Sequence, residues 1–505
     1  MASSLTTAST GTPGSGKTFL GHPRGLATLF FTEMWERFSY YGMRALLVLY
    51  LVSGGADAAT GSQGGGLAMT AATATAIYSV YVSMVYLMAM PGGWFGDRVW
   101  GARKTVTIAG FVIIAGHVSL ALPGQAMFFV GLALVAAGSG LLKANISTMV
   151  GHLYDGPDDP RRDGGFTLFY IGINLGAFVA PFVVGTLGEK VNWHLGFALA
   201  AVGMALGLAC FLSFSKSLSP TSSVVPNPLS AEEKKRILVK ASLVVALAAV
   251  FYGVVVALDL FTLNWALVPL TLAGLLIPVA VLVRIKRDKD LDKTEQSKMN
   301  GYIWFFVAAA IFWMIYDQGG STLSLFADDK TGTIFGFDPS ATWYQSLNPM
   351  FVMALAPVFA WLWLWLARKN QEPNTIVKFA MGLVLVGASF FVFIVPMGMA
   401  GDGTMVSPMW LVSIYMIQTI GELCLSPVGL SVTTKMAPKK YASQMMGVWF
   451  LAVTAGDCTT GLLSLAGVDL NGTGIIALQA TLAVGAGFAV FMYRKKVQAM
   501  MGDVH

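Results

Sequence analysis

Long apolar stretches separated by short polar segments recur along the whole chain, from Leu26 to Tyr493. Each is roughly 20 residues or longer, which is the length that a helix needs to cross the hydrocarbon core of a bilayer. We count about fourteen of these stretches. The longest polar segments between them, near residues 216–240 and 285–298, extend over only a few helical turns. The pattern therefore predicts an all-α membrane protein without a separable soluble domain.

The spacing of the stretches divides the chain into three groups. Six lie within residues 26–212, two within 239–283 and six within 302–491. The simplest arrangement is two six-helix bundles around a midplane cavity, with the central pair as an insertion. A bundle of another topology would give the same count and stays open. The predicted segments are a flexible N-terminal tail at 1–24, a first bundle at 25–215, a linker with two additional helices at 216–298, a second bundle at 299–497 and a tail at 498–505.

Composition supports a membrane protein, because 55% of the residues are hydrophobic, 11% are charged and the mean hydropathy is +0.67. The net charge of +6 does not indicate nucleic-acid binding, because the basic residues follow the membrane topology. They cluster in the tails and in alternate loops, whereas the intervening loops hold Lys190 and Lys330. The positive-inside rule then places both termini in the cytoplasm. We expect a monomeric, multi-pass protein of the cell inner membrane that contacts lipid and no nucleic acid.

A pattern typical of phosphate-binding loops, GTPGSGKT, occupies residues 11–18. Such a loop works only between a buried strand and a helix whose amides bind phosphate. Here it follows a Ser/Thr-rich tail and precedes a membrane span, so we interpret it as a coincidence of composition. The sequence does not predict ATP hydrolysis.

The first apolar stretch carries several charged and aromatic residues that share one face. On an α-helix they fall within an arc of about 140°, which makes a polar stripe. One unpaired charge costs about 2.5–3.5 kcal/mol at a helix centre, so the stripe must face protein or a wet cavity and find partners. Arg44 lies too deep for an interfacial cluster to explain the whole set. The stripe consists of Glu33, Glu36, Arg37, Tyr40, Tyr41 and Arg44.

Three more charged residues lie deep in other stretches. Lys143 is in the middle of its stretch, too far from the ends to reach water by snorkelling, and therefore needs an anion. The candidates are Asp317 and Glu422, the latter flanked by Gln418 and Ser426 at helical spacing. Together with the stripe, these residues make four carboxylates and three cations. One added proton would make the set neutral, which suggests proton binding.

The unpaired charges are segregated between the two halves. Arg44 and Lys143 lie in the first half, whereas Asp317 and Glu422 lie in the second. A cavity between the halves would be a dipole that suits a zwitterion. At about 3.5 Å per residue, a di- or tripeptide matches such a cavity, and an amino acid or a zwitterionic drug stays open. Asp457 is left out of the set, because its position in the outer half of its stretch predicts a place near water.

Aromatic and amide side chains near these charges are further candidates. Most aromatic residues in such a chain only pack or form the interfacial belt. Amides in hydrocarbon need a partner, which favours the two asparagines as site residues. The candidates are Tyr40, Tyr41, Tyr86, Asn174, Trp313, Asn348 and Trp449.

Two resemblances add to this interpretation. The loop GGWFGDRVWGARK at residues 92–104 resembles the signature loop of the major facilitator superfamily, in which Asp97 and Arg98 would pair across helix ends and latch one side. The motif E-x-x-E-R-F-x-Y-Y at 33–41, with FYIGINLG at 169–176 and GELCLSPVGLS at 421–431, resembles the proton-dependent oligopeptide transporter (POT) family.

The POT resemblance implies a fold with two six-helix bundles and a role for each candidate. Protons are the coupling ion, and no other cofactor and no metal is expected. Two departures affect the roles: Tyr316 stands where many bacterial relatives have a second acid, and Ala144 follows Lys143 where Pro is usual. The implied roles are proton coupling by Glu33, Glu36, Arg37 and Asp317; peptide-carboxylate binding by Arg44 and Lys143; contact with the peptide amino terminus by Glu422, Asn174 and Asn348; and side-chain pockets from Tyr40, Tyr41, Tyr86, Trp313, Ser426 and Trp449. We further expect gating by Arg44, Asp317, Lys143, Glu422, Asp97 and Arg98, with Lys143 and Glu422 paired in one conformational state.

The sequence as a whole predicts a facilitator-type symporter that imports di- and tripeptides with protons by alternating access. Another zwitterionic or anionic solute, such as a peptide-like drug or nitrate, is the alternative. A membrane enzyme is not expected, because the five histidines are scattered and form no evident pair with a Ser or Cys nucleophile.

Overall fold

The computed structural model describes residues 18–54, 65–156, 159–334, 336–400 and 403–502. Within these residues the chain forms fourteen long helices and a short helix at the C-terminal end. Several of the long helices contain a 3-10 or π segment and continue through it. The helices are α1 Gly25–Val52, α2 Ala71–Trp100, α3 Ala102–Ala121, α4 Gln125–Gly151, α5 Arg162–Lys190, α6 Trp193–Ser213, α7 Ala231–Ala257, α8 Asn264–Lys286, α9 Lys293–Lys330, α10 Ala341–Arg368, α11 Thr375–Met399, α12 Met409–Lys435, α13 Ala442–Leu465, α14 Thr473–Met492 and α15 Arg494–Met501.

Thirteen of the long helices in the described residues are apolar enough to cross a membrane by length and composition. Helix α1 is less apolar because it carries the charged stripe, yet its 28 residues extend over about 42 Å at 1.5 Å per residue. That length exceeds the roughly 30 Å of a bilayer core. The structure thus agrees with the count of fourteen spans.

Helices α1–α6 and α9–α14 pack as two separate bundles. The bundles meet where α2 packs on α13 and where α5 packs on α10. Successive helices run in opposite directions, so both described ends of the chain lie at one end of the bundles, which we call the terminal side. The opposite end is the far side.

The additional hairpin α7–α8 lies outside the two bundles. Helix α8 packs on α13 and α2, and a Cβ at Gly274 would lie 2.2 Å from the Cys458 sulfur, so only glycine allows this approach. Val255 is the one buried residue of α7, whose other residues are mostly apolar. A helix that is apolar and unburied in this way is suited to contact lipid.

Polar contacts hold both ends of this hairpin to the bundles. Arg98, in the last turn of α2, donates to Glu233 at the start of α7, at 2.9 Å. At the other end, Asp288 accepts from Lys440 at 2.7 Å and from the Tyr441 hydroxyl at 2.5 Å. The Lys440 ammonium and the Tyr441 hydroxyl hold the pKa of the Asp288 carboxyl well below its usual range, so this contact persists into acid solution.

The predicted latch at the facilitator loop differs in its partners. Within the described residues Arg98 pairs with Glu233 of the added hairpin. The backbone carbonyl of Asp97 accepts from the backbone N–H of Asn227 at 3.0 Å. The two residues therefore bind the linker, rather than pairing with each other across helix ends. The linker begins close to this loop, which is why its groups satisfy those of the loop.

Two predicted boundaries are corrected at the chain ends. Residues 18–24, assigned to a flexible tail, contain the short strands β1 Thr18–Phe19 and β2 His22–Pro23, and the His22 ring lies 3.1 Å from the Tyr154 hydroxyl. Residues 498–501, assigned to the C-terminal tail, belong to α15, which buries Met501. The pattern GTPGSGKT lies outside the described residues except for Thr18.

Candidate functional site

Helix α9 breaks where it reaches the middle of the protein. Residues Asp317–Gly320 form a 3-10 turn instead of continuing the α-helix. The Tyr415 hydroxyl donates to the Gly319 carbonyl at 2.8 Å, which satisfies a backbone group that the break leaves free. A Cβ at Gly320 would lie 2.0 Å from the Tyr78 hydroxyl. Glycine is therefore required for Tyr78 of the first bundle to reach the broken helix.

An ion pair joins the two bundles at this break. The Arg44 Nη2 donates to Asp317 Oδ1 at 2.9 Å, and the Arg44 Nε donates to the Tyr78 hydroxyl at 2.5 Å. The side chains of Arg44 and Asp317 are 13% and 6% exposed. The structure thus brings together two of the predicted gating residues, Arg44 and Asp317. Removing one partner from such a buried pair is costly, because the other charge remains unpaired.

The polar stripe of α1 contacts a second group of charges. Arg37 Nε lies 2.9 Å from Glu33 Oε1 and 2.6 Å from Glu36 Oε2. The Ser139 hydroxyl of α4 donates to Glu36 Oε1 at 3.0 Å. All three charged side chains are buried, as predicted for a stripe that faces protein. A Cβ at Gly176 would lie 2.2 Å from the Met34 carbonyl, so this glycine lets α5 cover the stripe.

Glu422 lies on α12 with two donors from its own bundle. Its Oε2 accepts from the Tyr316 hydroxyl at 2.6 Å and from Asn348 Nδ2 at 2.9 Å. Tyr316 thus supplies a hydrogen bond at the position where the sequence departs from its relatives. The predicted neighbours Glu422 and Asn348 lie together.

Lys143 projects from α4 toward aromatic rings. Its Nζ lies 3.6 Å from the centre of the Tyr86 ring and 5.1 Å from that of Phe450, in the second bundle. In the described part of the chain no carboxylate oxygen lies within 4.0 Å of this ammonium. The predicted pair of Lys143 and Glu422 is therefore not formed in this conformation and stays a prediction for another one.

A cavity lies between the bundles beside these charges. Asn174 lines it, and its amide donates to the Tyr170 carbonyl of its own helix at 2.9 Å. The polar side chains of its lining include Tyr41, Arg44 and Asn174 from the first bundle and Tyr316, Gln345 and Asn348 from the second.

The predicted pocket residues of the second bundle lie at different depths. Trp313 packs edge-on against Tyr316, with ring centres 5.1 Å apart, and its Nε1 finds no acceptor among the described residues. The Ser426 hydroxyl is buried and likewise has no hydrogen-bond partner in the described part of the chain. Trp449 is only 3% exposed and packs against Gly429, where a Cβ would lie 2.0 Å from its ring. Trp449 thus packs inside its bundle in this conformation.

Tyr40, a pocket candidate of the first bundle, is 3% exposed and packs beside Tyr41 and Tyr81.

Hydrogen bonds close the far side of the site. The Glu189 carboxylate, at the end of α5, accepts from the backbone amides of Thr342 and Ala341 at 2.9 and 3.1 Å. These amides lie in the first turn of α10, where free N–H groups and the helix dipole favour an anion. The Ser346 hydroxyl donates to the Phe178 carbonyl at 2.8 Å. Together with the Arg44 pair, these contacts hold the bundles together on the far side.

One prediction about the site is wrong. Asp457 was expected near water, but it is 3% exposed and its carboxyl lies within hydrogen-bonding reach of that of Asp317. Helix α13 packs closely on α9, since a Cβ at Gly456 would lie 2.5 Å from the Ala310 carbonyl. With Asp457 included, the set has five carboxylates and three cations, and two added protons make it neutral.

Tyr78 and Gln345 were missed entirely. Neither stands out in its stretch, because a single polar residue among apolar ones usually only packs. Their position in the site is evident only from the structure. The Tyr78 hydroxyl accepts from Arg44, and the Gln345 side-chain amide donates to the Ala45 carbonyl at 3.5 Å.

Comparison with known protein families identifies the family to which this chain belongs. A model of the POT family matches residues 103–469. The chain belongs to the POT family. This confirms the resemblance found in the sequence motifs, and it makes the chain a multi-pass member of a membrane transporter family.

Relatives in the POT family are similar over almost the full length. A di-/tripeptide transporter of Lactococcus lactis subsp. cremoris is 40% identical over 498 residues, which cover 97% of this chain and 98% of the relative. An uncharacterized transporter of Bacillus subtilis (strain 168), YclF, is 46% identical over 444 residues, 87% of each chain. A crystal structure of a peptide transporter POT in complex with sulfate has a TM-score of 0.90 and 42% identity, and covers 96% of this chain and 97% of that one. The predicted fold of two six-helix bundles with two added helices is thereby confirmed.

Proposed function

We propose that this POT-family protein is a proton-coupled symporter that imports di- and tripeptides by alternating access. It lies in the cell inner membrane as a monomer with both termini in the cytoplasm, so the far side faces outward. The names of its relatives support the substrate class, since one is a di-/tripeptide transporter and a structure 35% identical to this chain is of a POT family transporter in complex with a thioalcohol-conjugated peptide.

One observation carries the substrate assignment. Lys143 of the first bundle has no carboxylate partner among the described residues, while Glu422 of the second has only neutral donors. A cation and an anion on opposite bundles thus remain available in the conformation with a closed far side. Arg44 lines the cavity, as do Tyr316 and Asn348, which bind Glu422. A zwitterion that extends from this cavity between the bundles satisfies both charges, with its carboxylate toward Lys143 and Arg44 and its ammonium toward Glu422.

The geometry also suggests how protons couple to this binding. Asp317 holds Arg44 at 2.9 Å and so keeps the far side closed. A proton that neutralises Asp317 removes the attraction and releases Arg44, so the far side opens to admit peptide. A second buried group, on α1 and nearer the terminal side, consists of Glu33, Glu36 and Arg37. When one of its two carboxylates binds a proton, the other remains to pair with Arg37.

The function is tested by uptake of labelled dialanine into proteoliposomes with and without an inward proton gradient. Accumulation above equilibrium only with the gradient, inhibited by unlabelled di- and tripeptides, is the expected result. Inhibition by nitrate or a sugar instead of by peptides would refute the substrate class. Accumulation independent of the proton gradient would refute the coupling.

Replacing Glu422 with Gln is expected to weaken binding of peptides with a free amino terminus about 10- to 100-fold. The amide keeps the shape and an acceptor for Tyr316 and Asn348, but it loses the charge-assisted bond to the ammonium, worth about 1.5–3 kcal/mol. Binding is measured by competition against a labelled peptide, with each peptide compared to its amino-acetylated form.

The acetylated peptides are the control, because they offer no ammonium and their affinity is expected to change little. Amidating the carboxyl terminus should affect wild type and variant alike. Equal losses for free and acetylated peptides would show that Glu422 does not contact the amino terminus.

A further inference from the structure

Two buried carboxyl groups face each other at the break in α9. Asp317 is 5% exposed and Asp457, on α13, is 3% exposed. Asp457 follows Gly456, where α13 packs so closely on α9 that a Cβ would lie 2.5 Å from the Ala310 carbonyl, and the two carboxyl groups lie within hydrogen-bonding reach of each other. Among the described residues, the Oδ2 atom of each is buried and accepts no hydrogen bond from an N–H or O–H donor. Because an ionised carboxylate only accepts hydrogen bonds, two ionised groups cannot make this contact.

The charges around the pair show which oxygen carries the proton. From α1, Arg44 donates to Asp317 Oδ1 at 2.9 Å, and from α2 the Tyr78 hydroxyl contacts Arg44 rather than either aspartate. From α4, the charge of Lys143 also acts on Asp317. The cations therefore favour the negative charge on Asp317. Asp457 is left as the neutral acid that donates to the Asp317 carboxylate.

Hydrogen bonds from α13 to its neighbouring helices hold Asp457 in this position. The Thr460 hydroxyl donates to the Met314 carbonyl at 3.2 Å and the Thr454 hydroxyl lies 3.2 Å from the Ser83 carbonyl, so α13 is fixed against both α9 and α2. The Cys458 sulfur lies 3.2 Å from the Ser83 hydroxyl and turns to α2, away from the pair. Asp457 cannot leave Asp317 without moving α13.

We propose that Asp457 and Asp317 share one proton, carried by Asp457, while the far side is closed, and that the far side opens when the pair binds a second proton. The first proton lies between the two carboxyl groups. The second comes from the solution on the far side, neutralises Asp317 and releases Arg44. Asp457 is thus a second proton position of the coupling site. The proposal rests on the proposed coupling role of Asp317.

The test measures far-side opening against pH in liposomes without peptide. Spin labels at Val191→Cys and Met405→Cys, both exposed on the far side of opposite bundles, report the distance between the bundles. The variant Cys210→Ala removes the native thiol that is not fully buried. The fraction of open molecules in wild type should rise as pH falls, with one measurable midpoint. A distance independent of pH would overturn the proposal.

Two substitutions at Asp457 then distinguish its protonation states. Asp457→Asn carries a permanent donor of the same shape, so its midpoint should equal that of wild type. If Asp457 is instead ionised, the amide removes a neighbouring negative charge, and the midpoint falls by about 1–3 pH units. That result would overturn the proposal.

Asp457→Leu removes the donor, so ionised Asp317 loses a hydrogen bond and accepts a proton more readily. The midpoint should rise by about one pH unit. A midpoint equal to that of wild type would contradict the contact. If this variant does not fold, Asp457→Ala carries the same expectation. The distance measurements use no peptide and are therefore independent of the peptide-uptake experiment. A result against the shared proton would leave proton-driven peptide uptake intact, and a failure of uptake would leave the pH dependence of far-side opening intact.

Discussion

Asp317→Asn is expected to abolish gradient-driven accumulation of peptide while exchange of peptide across the membrane continues at a reduced rate. The amide keeps the shape of the side chain and an acceptor for Arg44, but it cannot bind and release a proton. In wild type the proton gradient sets the steady-state ratio of internal to external peptide, and each tenfold in this ratio requires about 1.4 kcal/mol of driving free energy. In the variant the ratio should fall to about one. Uptake and counterflow of labelled dialanine in the same proteoliposomes measure the two activities.

The matched control for this variant is Asp328→Asn. Asp328 lies on the same helix beyond the break, but it is exposed and makes no ion pair within the described residues. Its variant should accumulate peptide as wild type does. A variant at position 317 that still concentrates peptide as steeply as wild type would remove Asp317 from the coupling mechanism.

Lys143→Ala is expected to reduce proton-driven uptake by about 10- to 100-fold or more. The change removes a cation from the substrate site, and one charge-assisted hydrogen bond is worth about 1.5–3 kcal/mol. It also removes the predicted partner of Glu422 in the conformation that closes the terminal side. Initial rates of uptake, with peptides that carry a free or an amidated carboxyl terminus, measure the effect.

Lys369→Ala is a close control, because the Lys369 ammonium also lies over an aromatic ring, 3.8 Å from the centre of Trp365. It is outside the cavity, so uptake should not change. If Lys143→Ala keeps the wild-type preference for a free carboxylate, Arg44 is the main contact of that group.

The double variant of Lys143→Ala with Glu422→Gln tests the gate separately. Distance labels at Lys104 and Gln371, exposed on the terminal side of the two bundles, report its closure. Residues that pair in one state have coupled effects, whereas independent sites add. Additive shifts would exclude the gate and leave Lys143 with its substrate role alone.

The sequence by itself determined the membrane class, the grouping of helices and the composition of the stripe on α1. These follow from properties within one helix: the length of an apolar stretch and the 100° between successive residues. Motifs at Glu33–Tyr41 and in α5 and α12 were enough to indicate the POT family, and the family match confirmed it.

Tertiary structure decided which charges meet. The sequence placed Arg44 and Asp317 deep in opposite halves, but it could not show that they form an ion pair or that Tyr78 is the other partner of Arg44. Tyr78 reaches the broken helix only because position 320 is a glycine, which leaves room for its hydroxyl. It placed Asp457 near water from its position along α13, whereas the close packing of α13 on α9 buries it against Asp317. Depth along a helix is encoded locally, but burial and the choice of partner depend on neighbouring helices that are distant in sequence.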